Sequence, residues 1–221
     1  MQFVYHEEAS KDVLSLDTKE FTHIFRVRRT KVGQVLFFRN LVDDMLYSYK
    51  ISSIDRKKSI MELIDKKLLK VEAKKQLHVG WCMVEAKTIE KTLPFLNELG
   101  VSKISFVYCE LSQRNFKLDM QRVKKILINS SQQCGRSSLM QIEILDSLEE
   151  FLALYPDCKV LDFSSNFIDK KEEFHSFLVG CEGGFTDDER KMIDKKNIVG
   201  LKNPMILRSE TAVLTLSALN S

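Results

Sequence analysis

Three glycines follow an apolar run near the end of the chain, in the segment Gly180-Cys181-Glu182-Gly183-Gly184-Phe185. The run before them, residues 177 to 179, is typical of a buried strand. Glycines at the carboxyl end of a strand let a ligand approach the backbone closely. Structural turns use the same pattern, so the loop alone is only a candidate ligand site.

The residues after this loop indicate which ligand it could take. Thr186 and Glu189 form a capping box, and Asp187 and Asp188 fill the first helical turn. A phosphate site needs free backbone N–H groups and a bare helix end, so this acidic start disfavours nucleotide phosphates. The spacing also lacks the GxGxxG pattern of a dinucleotide fold. A phosphate-free ligand with a positive centre fits better, and S-adenosylmethionine is such a ligand.

A second segment of interest is Ile206-Leu207-Arg208-Ser209-Glu210-Thr211-Ala212. Ser209 is a plausible N-cap, and the helix that follows to Leu219 carries almost no charge. Such a helix is expected to be buried in the core or in an interface. Arg208 and Glu210 form either a local ion pair at the helix start or part of a site.

Basic residues gather in two places, at residues 23 to 31 and at residues 114 to 136. The second cluster includes Gln113-Arg114-Asn115-Phe116 and ends at Gln132-Gln133-Cys134-Gly135-Arg136. Arginines suit phosphates, amides suit base edges and an aromatic suits stacking, so the pattern favours RNA. The alternative is that both clusters are ordinary solvated helix faces.

The first seventy residues are expected to be rich in β-structure. Short alternating runs predict strands near residues 2 to 6, 35 to 40, 46 to 52 and 59 to 65, and residues 18 to 27 predict a helix capped by Asp17 or Thr18. A small barrel or twisted sheet fits these elements. The charged run at 66 to 76 predicts a boundary between one domain at 1–70 and another at 71–221.

Strand-like and helix-like segments alternate from Leu77 to the end of the chain. Helices are expected to end at Gly100 and Gly135, since glycine commonly stops a helix. Repeated strand–helix units predict an α/β fold with a mostly parallel sheet covered on both faces.

Composition excludes several classes of protein. The chain has 221 residues, 44% hydrophobic, a net charge of +3, and five cysteines without a CxxC pair. A disulfide framework or zinc site is not expected, and the four scattered histidines predict no metal site. No run of about 18 apolar residues and no leader-like start is present, so the expected location is the cytoplasm.

Taken together, the motifs resemble one family. HIFRVRRTKVG at 23–33, KTLPFLNELGV at 91–101, SQRNF, QQCGR, GCEGGF and ILRSETA occur in the order found in the bacterial 16S ribosomal RNA uridine N3-methyltransferase family, RsmE, of the SPOUT class. The resemblance covers nearly the whole chain. Cys181, Phe95 and the pair Lys202-Asn203 stand where that family usually has proline, lysine and glycine.

The resemblance implies a PUA-like RNA-binding β-barrel followed by a SPOUT domain with a parallel sheet and a deep trefoil knot. It also implies a cytoplasmic homodimer that uses S-adenosylmethionine, needs no metal and modifies one uridine of 16S ribosomal RNA, free or in the small subunit. The implied cofactor-binding residues are Phe163, Ser164, Gly180, Glu182, Gly183, Gly184, Leu201, Ile206, Leu207, Arg208, Thr211 and Ala212.

The chemistry requires that uracil N3 lose its proton before it attacks the methyl group. Arg114 and Arg136 are candidates for holding phosphate or the developing oxyanion, and Glu182 or Glu210 for a base or an orienting group. RNA contacts are expected from Arg26, Arg28, Arg29, Lys31, Arg114, Asn115 and Arg136. Two other functions remain open: ribose 2′-O-methylation by the same cofactor loops, and a noncatalytic RNA-binding or ribosome-assembly role.

Overall fold

The structure is a computed structural model that describes residues 3–17, 30–55, 58–115, 117–168 and 174–221. The chain divides into two compact units. The first consists of Met1–Glu72 and Ile128–Leu139, and the second of Ala73–Leu127 and Met140–Ser221. The domains expected at 1–70 and 71–221 stay a prediction; the first compact unit also includes a later segment, residues 128 to 139.

The first unit is built on a five-stranded sheet. Its strands are β1 (Val4–Tyr5), β2 (Val13–Leu16), β3 (Val35–Arg39), β4 (Met45–Ile54) and β5 (Ser59–Leu68), in the order β1-β3-β4-β5-β2. β1 pairs with β3 in parallel and the other pairs are antiparallel. The sequence did not predict β2, and the helix expected at 18–27 lies outside the described residues.

Hydrogen bonds explain why residues 128 to 139 belong to this unit. The Tyr5 N–H donates to Gln132 Oε1 at 2.8 Å. The Val71 N–H donates to the Ser137 hydroxyl at 2.9 Å, and that hydroxyl donates to Asp44. These contacts join residues far apart in sequence, so no local sequence pattern predicts them.

The second unit contains a six-stranded sheet in which every pairing is parallel. Its strands are β6 (Leu77–Cys82), β7 (Val101–Val107), β8 (Gln141–Leu145), β9 (Lys159–Leu161), β10 (Ser176–Val179) and β11 (Ile198–Val199). Their order in the sheet is β11-β9-β10-β6-β7-β8. The predicted parallel α/β fold is therefore confirmed.

Five α-helices are described: α1 (Ala86–Glu98), α2 (Met120–Cys134), α3 (Leu148–Leu154), α4 (Asp187–Met192) and α5 (Ser209–Asn220); a 3₁₀-helix, Lys195–Asn197, follows α4. Gly100 and Gly135 follow α1 and α2 with φ of 82° and 88°. Both predicted helix ends are confirmed, because only glycine takes this left-handed conformation at little cost.

The last helix returns the chain to the middle of the sheet. β11 lies at the sheet edge, whereas α5 packs against the inner strands β6 and β10 and against α1. Val213 and Leu216 are fully buried there, which accounts for much of the apolar character of this helix. The trefoil knot implied by the resemblance stays a prediction. Within the described residues, no helix is long and apolar enough to cross a membrane.

Candidate functional site

A pocket of about 440 Å³ opens at the carboxyl ends of β9, β10 and β11. These three strands are neighbours in the sheet, so the segments that leave them converge on one place, as expected for ligand sites in parallel sheets. The lining residues fall within the segments 161–167, 179–185 and 200–212, together with residue 190. All of them belong to the second unit.

The glycine loop after β10 forms the central wall of this pocket. The Gly184 N–H donates to the Cys181 carbonyl at 3.0 Å, and Gly184 has a φ of 69°, which favours glycine. A Cβ on Gly180 would lie 3.2 Å from the Gly184 Cα. The loop therefore folds tightly on itself and offers mainly backbone groups to a ligand.

A close backbone contact shapes the opposite wall. The Gly200 N–H donates to the Asn166 carbonyl at 2.8 Å, and the Ile168 N–H donates back to the Gly200 carbonyl at 3.0 Å. A Cβ on Gly200 would lie only 2.2 Å from the Ser164 carbonyl oxygen. Any side chain at Gly200 would push the segments around Gly200 and Ser164 apart.

The predicted capping box at the start of α4 is confirmed. Thr186 Oγ1 accepts from the Glu189 N–H, and Glu189 accepts from the Thr186 N–H at 2.9 Å. The buried Glu189 also accepts from the Glu110 N–H at 2.8 Å. The helix start is therefore already supplied with acceptors, which leaves it poorly suited to a phosphate.

The same contacts dock the loop after β7 onto the glycine loop. Glu110 accepts from Thr186 Oγ1 at 2.9 Å. A Cβ on Gly183 would come within 3.0 Å of the Leu111 side chain. The segment that carries Arg114 is thereby held beside the pocket.

One ion pair lies in the pocket wall. Arg190 Nε donates to Asp162 Oδ2 at 2.7 Å, and this hydrogen bond raises the pKa of Arg190. Asp162 is nearly buried, and its backbone N–H donates to the Val199 carbonyl. Arg190 is the one cation among the described lining residues, against two carboxylates, Asp162 and Glu182. The lining thus carries a net formal charge of −1.

Ser209 does not cap α5, contrary to the sequence prediction. The N-cap is Arg208, which makes no side-chain capping bond. The Ser209 hydroxyl instead accepts from Trp81 Nε1 at 2.7 Å and donates to the Gly180 carbonyl at 2.6 Å. The Ser209 hydroxyl therefore bonds to residues distant in sequence and not to the backbone of its own helix.

The predicted cofactor residues come together around this pocket, with two exceptions. Arg208 and Thr211 do not line it. Arg208 is exposed, and its Nη1 lies 3.9 Å from Glu210 Oε1, so the local ion pair is present but long. Of the two candidate carboxylates, Glu182 lines the pocket and Glu210 does not.

The predicted RNA-binding residues are distributed over both units. Arg26, Arg28 and Arg29 lie outside the described residues, and Lys31 is exposed in the first unit. In the second unit Arg114 and Asn115 are exposed, with the Arg114 guanidinium 5.3 Å from the Tyr108 ring centroid.

Arg136 differs from these exposed residues. It belongs to the first unit and is only 8% exposed, and burial lowers the pKa of its guanidinium. Arg114 and Arg136, which the sequence grouped in one cluster, therefore have different environments.

Sequence reasoning missed several residues of the pocket. Asp162, Gly200 and Ser209 line it, as do Phe167 and Arg190. Gly200 could have been found, because it follows the apolar residues 198–199 just as Gly180 follows 177–179. Arg190 carried no such signal, since a basic residue after three acidic ones is ordinary on a solvated helix.

Cysteine and histidine chemistry adds little to this site. Burial raises the pKa of the Cys181 thiol, so the loop presents a protonated thiol at neutral pH. Burial lowers the pKa of His78 to about 4, and its ring contacts Ser105 and Ser176. Among the residues that the structure describes, no group of three or more His, Cys, Asp or Glu could hold a metal ion.

Comparison with protein families finds matches to both parts of the chain. Residues 71–221 match the RNA methyltransferase domain, and residues 16–64 match the RNA methyltransferase PUA domain. The first match covers more than half of the chain.

Individual relatives agree with the family matches. Ribosomal RNA small subunit methyltransferase E from two Helicobacter pylori strains is 40% and 39% identical to this chain, with 99% of each protein covered. The same-named enzyme of Neisseria gonorrhoeae, solved with bound S-adenosylmethionine, has a similar fold, with a TM-score of 0.80 at 19% identity over 99% of this chain and 95% of its own. The chain therefore belongs to the ribosomal RNA small subunit methyltransferase E family.

Proposed function

We propose that this chain transfers a methyl group from S-adenosylmethionine to N3 of a uridine in 16S ribosomal RNA. The observation that carries the proposal is the pocket at the carboxyl ends of β9, β10 and β11, in a chain 40% identical to small-subunit RNA methyltransferases. The pocket volume of about 440 Å³ lies within the range of about 300–1,000 Å³ typical of small-molecule sites.

The charge of the pocket supports this cofactor. S-adenosylmethionine has a sulfonium, an ammonium and a carboxylate, so its net charge is positive and it carries no phosphate. The lining has two carboxylates, Asp162 and Glu182, against the paired Arg190. The start of α4 adds Asp187 and Asp188 nearby. Opposite charges attract, and the capped helix offers nothing to a competing nucleotide phosphate.

The loops of this chain supply backbone groups that could hold the adenosine and the methionine moiety. When bound, S-adenosylmethionine supplies a methyl group made electrophilic by its positive sulfur. Residues 162–167, 180–185 and 200–207 would fix its orientation, and fixed geometry provides much of the rate in such a transfer.

Deprotonation of uracil N3 is the second requirement. We propose Glu182 as the group that orients N3 or accepts its proton, because it is exposed at the pocket whereas Glu210 lies outside the lining. With the N3 proton on Glu182, N3 would be free to take the methyl group that bound S-adenosylmethionine supplies, which would leave a neutral thioether. Arg114 would stabilise the uracil oxyanion or a flanking phosphate.

The domain at 1–70 is proposed to bind RNA, with Arg26, Arg28, Arg29 and Lys31 as contacts. Its support is the PUA match at 16–64 and the density of basic residues at 23–31. With ribosomal RNA as substrate, the place of action is the cytoplasm.

A homodimer is proposed on the basis of exposed apolar side chains in the second unit. Phe163, Phe167, Met205 and Ile206 surround the pocket, and Leu219 lies near the end of α5. Clustered exposure of large apolar residues is typical of interaction surfaces. A second copy would cover them and complete the surroundings of the pocket.

The modified nucleoside tests the proposed function directly. Deletion of the gene should remove N3-methyluridine from 16S ribosomal RNA, and the wild-type gene should restore it, as measured by mass spectrometry of digested RNA. Loss of a 2′-O-methylated nucleoside instead would support the ribose alternative. An unchanged nucleoside profile, together with no binding of S-adenosylmethionine, would leave a noncatalytic role.

A side chain at Gly200 should damage the cofactor pocket. In Gly200→Ala the new Cβ would overlap the Ser164 carbonyl, so the walls must separate at a cost of about 1–3 kcal/mol. Titration calorimetry should show binding of S-adenosylmethionine weakened by about fivefold or more. Gly33→Ala is the control, since it makes the same substitution in the first unit, at a glycine with a positive φ and nothing within 4 Å of its Cβ position. If Gly200→Ala binds S-adenosylmethionine as tightly as Gly33→Ala, the segment around Gly200 is not part of the cofactor site.

Arg114 should contribute one phosphate contact to RNA binding. Arg114→Ala should weaken RNA affinity and flatten the log–log salt dependence by about one unit, without changing affinity for S-adenosylmethionine. Lys195→Ala removes an exposed cation from the 3₁₀-helix and serves as the control. An Arg114→Ala protein that keeps the wild-type slope would mean that Arg114 lies on a solvated face.

Association through α5 can be tested at its exposed end. Leu216 is unsuitable because it is fully buried in the protomer, whereas Leu219 is 43% exposed. Leu219→Glu should weaken dimerisation in sedimentation velocity, because a charge would enter the apolar contact. Leu154→Glu changes a 56% exposed leucine on α3 and should leave association unchanged. A wild-type monomer at micromolar concentration would contradict the proposed dimer.

A further inference from the structure

A buried chain of two hydrogen bonds joins three separate elements at the pocket. Trp81 on β6 donates through Nε1 to the Ser209 hydroxyl at 2.7 Å, and that hydroxyl donates to the Gly180 carbonyl at 2.6 Å. Trp81 is fully buried, and Ser209 and Gly180 are buried too. Ser209 and Gly180 both line the pocket, whereas Trp81 does not.

The indole fixes the direction of the hydroxyl proton. A hydroxyl has one proton to donate and two lone pairs, whereas an indole N–H can only donate. The ring centroids of Trp81 and Phe106 lie 6.0 Å apart, and this packing fixes the direction of the indole N–H. Because the hydroxyl must accept from Trp81, its own proton is committed to the Gly180 carbonyl.

The bond to Gly180 in turn orients a peptide of the pocket wall. In a trans peptide the carbonyl and the following N–H point to opposite sides. Holding the Gly180 carbonyl on Ser209 therefore fixes the direction of the Cys181 N–H as well. Gly180 needs this external restraint, since without a Cβ it has more backbone freedom than any other residue type.

We infer that Trp81 and Ser209 are positioning residues that hold the Gly180–Cys181 peptide in its cofactor-binding orientation. The inference rests on the proposed binding of S-adenosylmethionine at this pocket. Ser209 acts on the glycine loop directly, and Trp81 acts only through Ser209. Neither residue was assigned a binding role by the sequence motifs, in which Ser209 was expected to cap a helix.

A matched pair of substitutions isolates the hydroxyl. Ser209→Thr keeps it and Ser209→Val replaces it with a methyl group of similar shape, so both carry the same added bulk. Ser217→Ala is a second control: it removes a buried hydroxyl from the same helix, and Ser217 Oγ has no hydrogen-bond partner among the described residues. Trp81→Phe removes the indole donor and keeps an aromatic ring.

Affinity for S-adenosylmethionine, measured by titration calorimetry on folded protein, is the main readout. Loss of the hydroxyl leaves a buried carbonyl unpaired, so Ser209→Val should bind about tenfold more weakly than Ser209→Thr. Ser217→Ala should bind like wild type. The affinity of Trp81→Phe should fall between those of Ser217→Ala and Ser209→Val. In turnover assays the KM for S-adenosylmethionine should rise more than kcat falls, because the restraint acts on binding of the cofactor.

Fluorescence gives an independent readout, because Trp81 is the single tryptophan of the chain. Addition of S-adenosylmethionine should change indole emission in wild type and Ser209→Thr, and this change should be much smaller in Ser209→Val. A purely structural role would lower the melting temperature and leave both affinity and the ligand-induced emission change intact.

The outcomes separate this inference from the proposed function. Equal affinities of Ser209→Thr and Ser209→Val, in a protein whose wild type binds S-adenosylmethionine, would overturn the positioning role alone. A wild type that binds none would overturn the proposed function and this inference with it. If Ser209→Val fails to fold, Trp81→Phe decides: weakened binding relative to Ser217→Ala supports the inference, and unchanged binding overturns it.

Discussion

The glycine loop after β10 has few side chains with which to hold its own shape, so its neighbours must impose it. Three of them do so by different means. Leu111 packs against the face of Gly183, where no Cβ could fit comfortably. Glu189 ties the start of α4 to the loop after β7. Ser209 holds the Gly180 carbonyl from the start of α5. The conformation of the loop therefore depends on elements far away in sequence.

The electrostatic character of the pocket follows from the same arrangement. In many phosphate sites a helix start left without partners attracts the anion. Here the side chains of Thr186 and Glu189 accept from two N–H groups at the helix start, and Asp187 and Asp188 add negative charge. The loop thus keeps the close backbone approach that glycine allows while losing its attraction for phosphate. That combination selects for a cationic ligand by repelling the commoner anionic ones.

Local signals in the sequence predicted those parts of the structure that local physics determines. The capping box at Thr186, the helix stops at Gly100 and Gly135, and the parallel sheet depend on neighbouring residues and on hydrophobic periodicity. Each of them was confirmed. The glycine loop was singled out for the same reason, because an apolar strand precedes it directly.

Features set by distant partners could not be predicted in this way. The motif at Ser209 fits an N-cap, yet Trp81, 128 positions earlier, takes its hydroxyl. Nothing in the sequence of residues 128 to 139 predicts that Gln132 accepts from the backbone of Tyr5, so the grouping of this segment with the first unit could not be foreseen. The resemblance to a family supplied what periodicity could not, namely that residues near 163, 180 and 206 come together, and they line one pocket.

The position of the pocket also links ligand binding to the completion of the fold. Its walls come from residues 161 to 212, and the last of them exist only once α5 has returned from the sheet edge to β6 and β10. A ligand that contacts all three walls binds the folded chain and not one in which α5 is undocked. Binding then stabilises the docked arrangement by a free energy that grows with ligand concentration over Kd, about 2.7 kcal/mol at a hundredfold excess. Ser209 belongs to both arrangements, because it begins α5, lines the pocket and donates its hydroxyl proton to the Gly180 carbonyl.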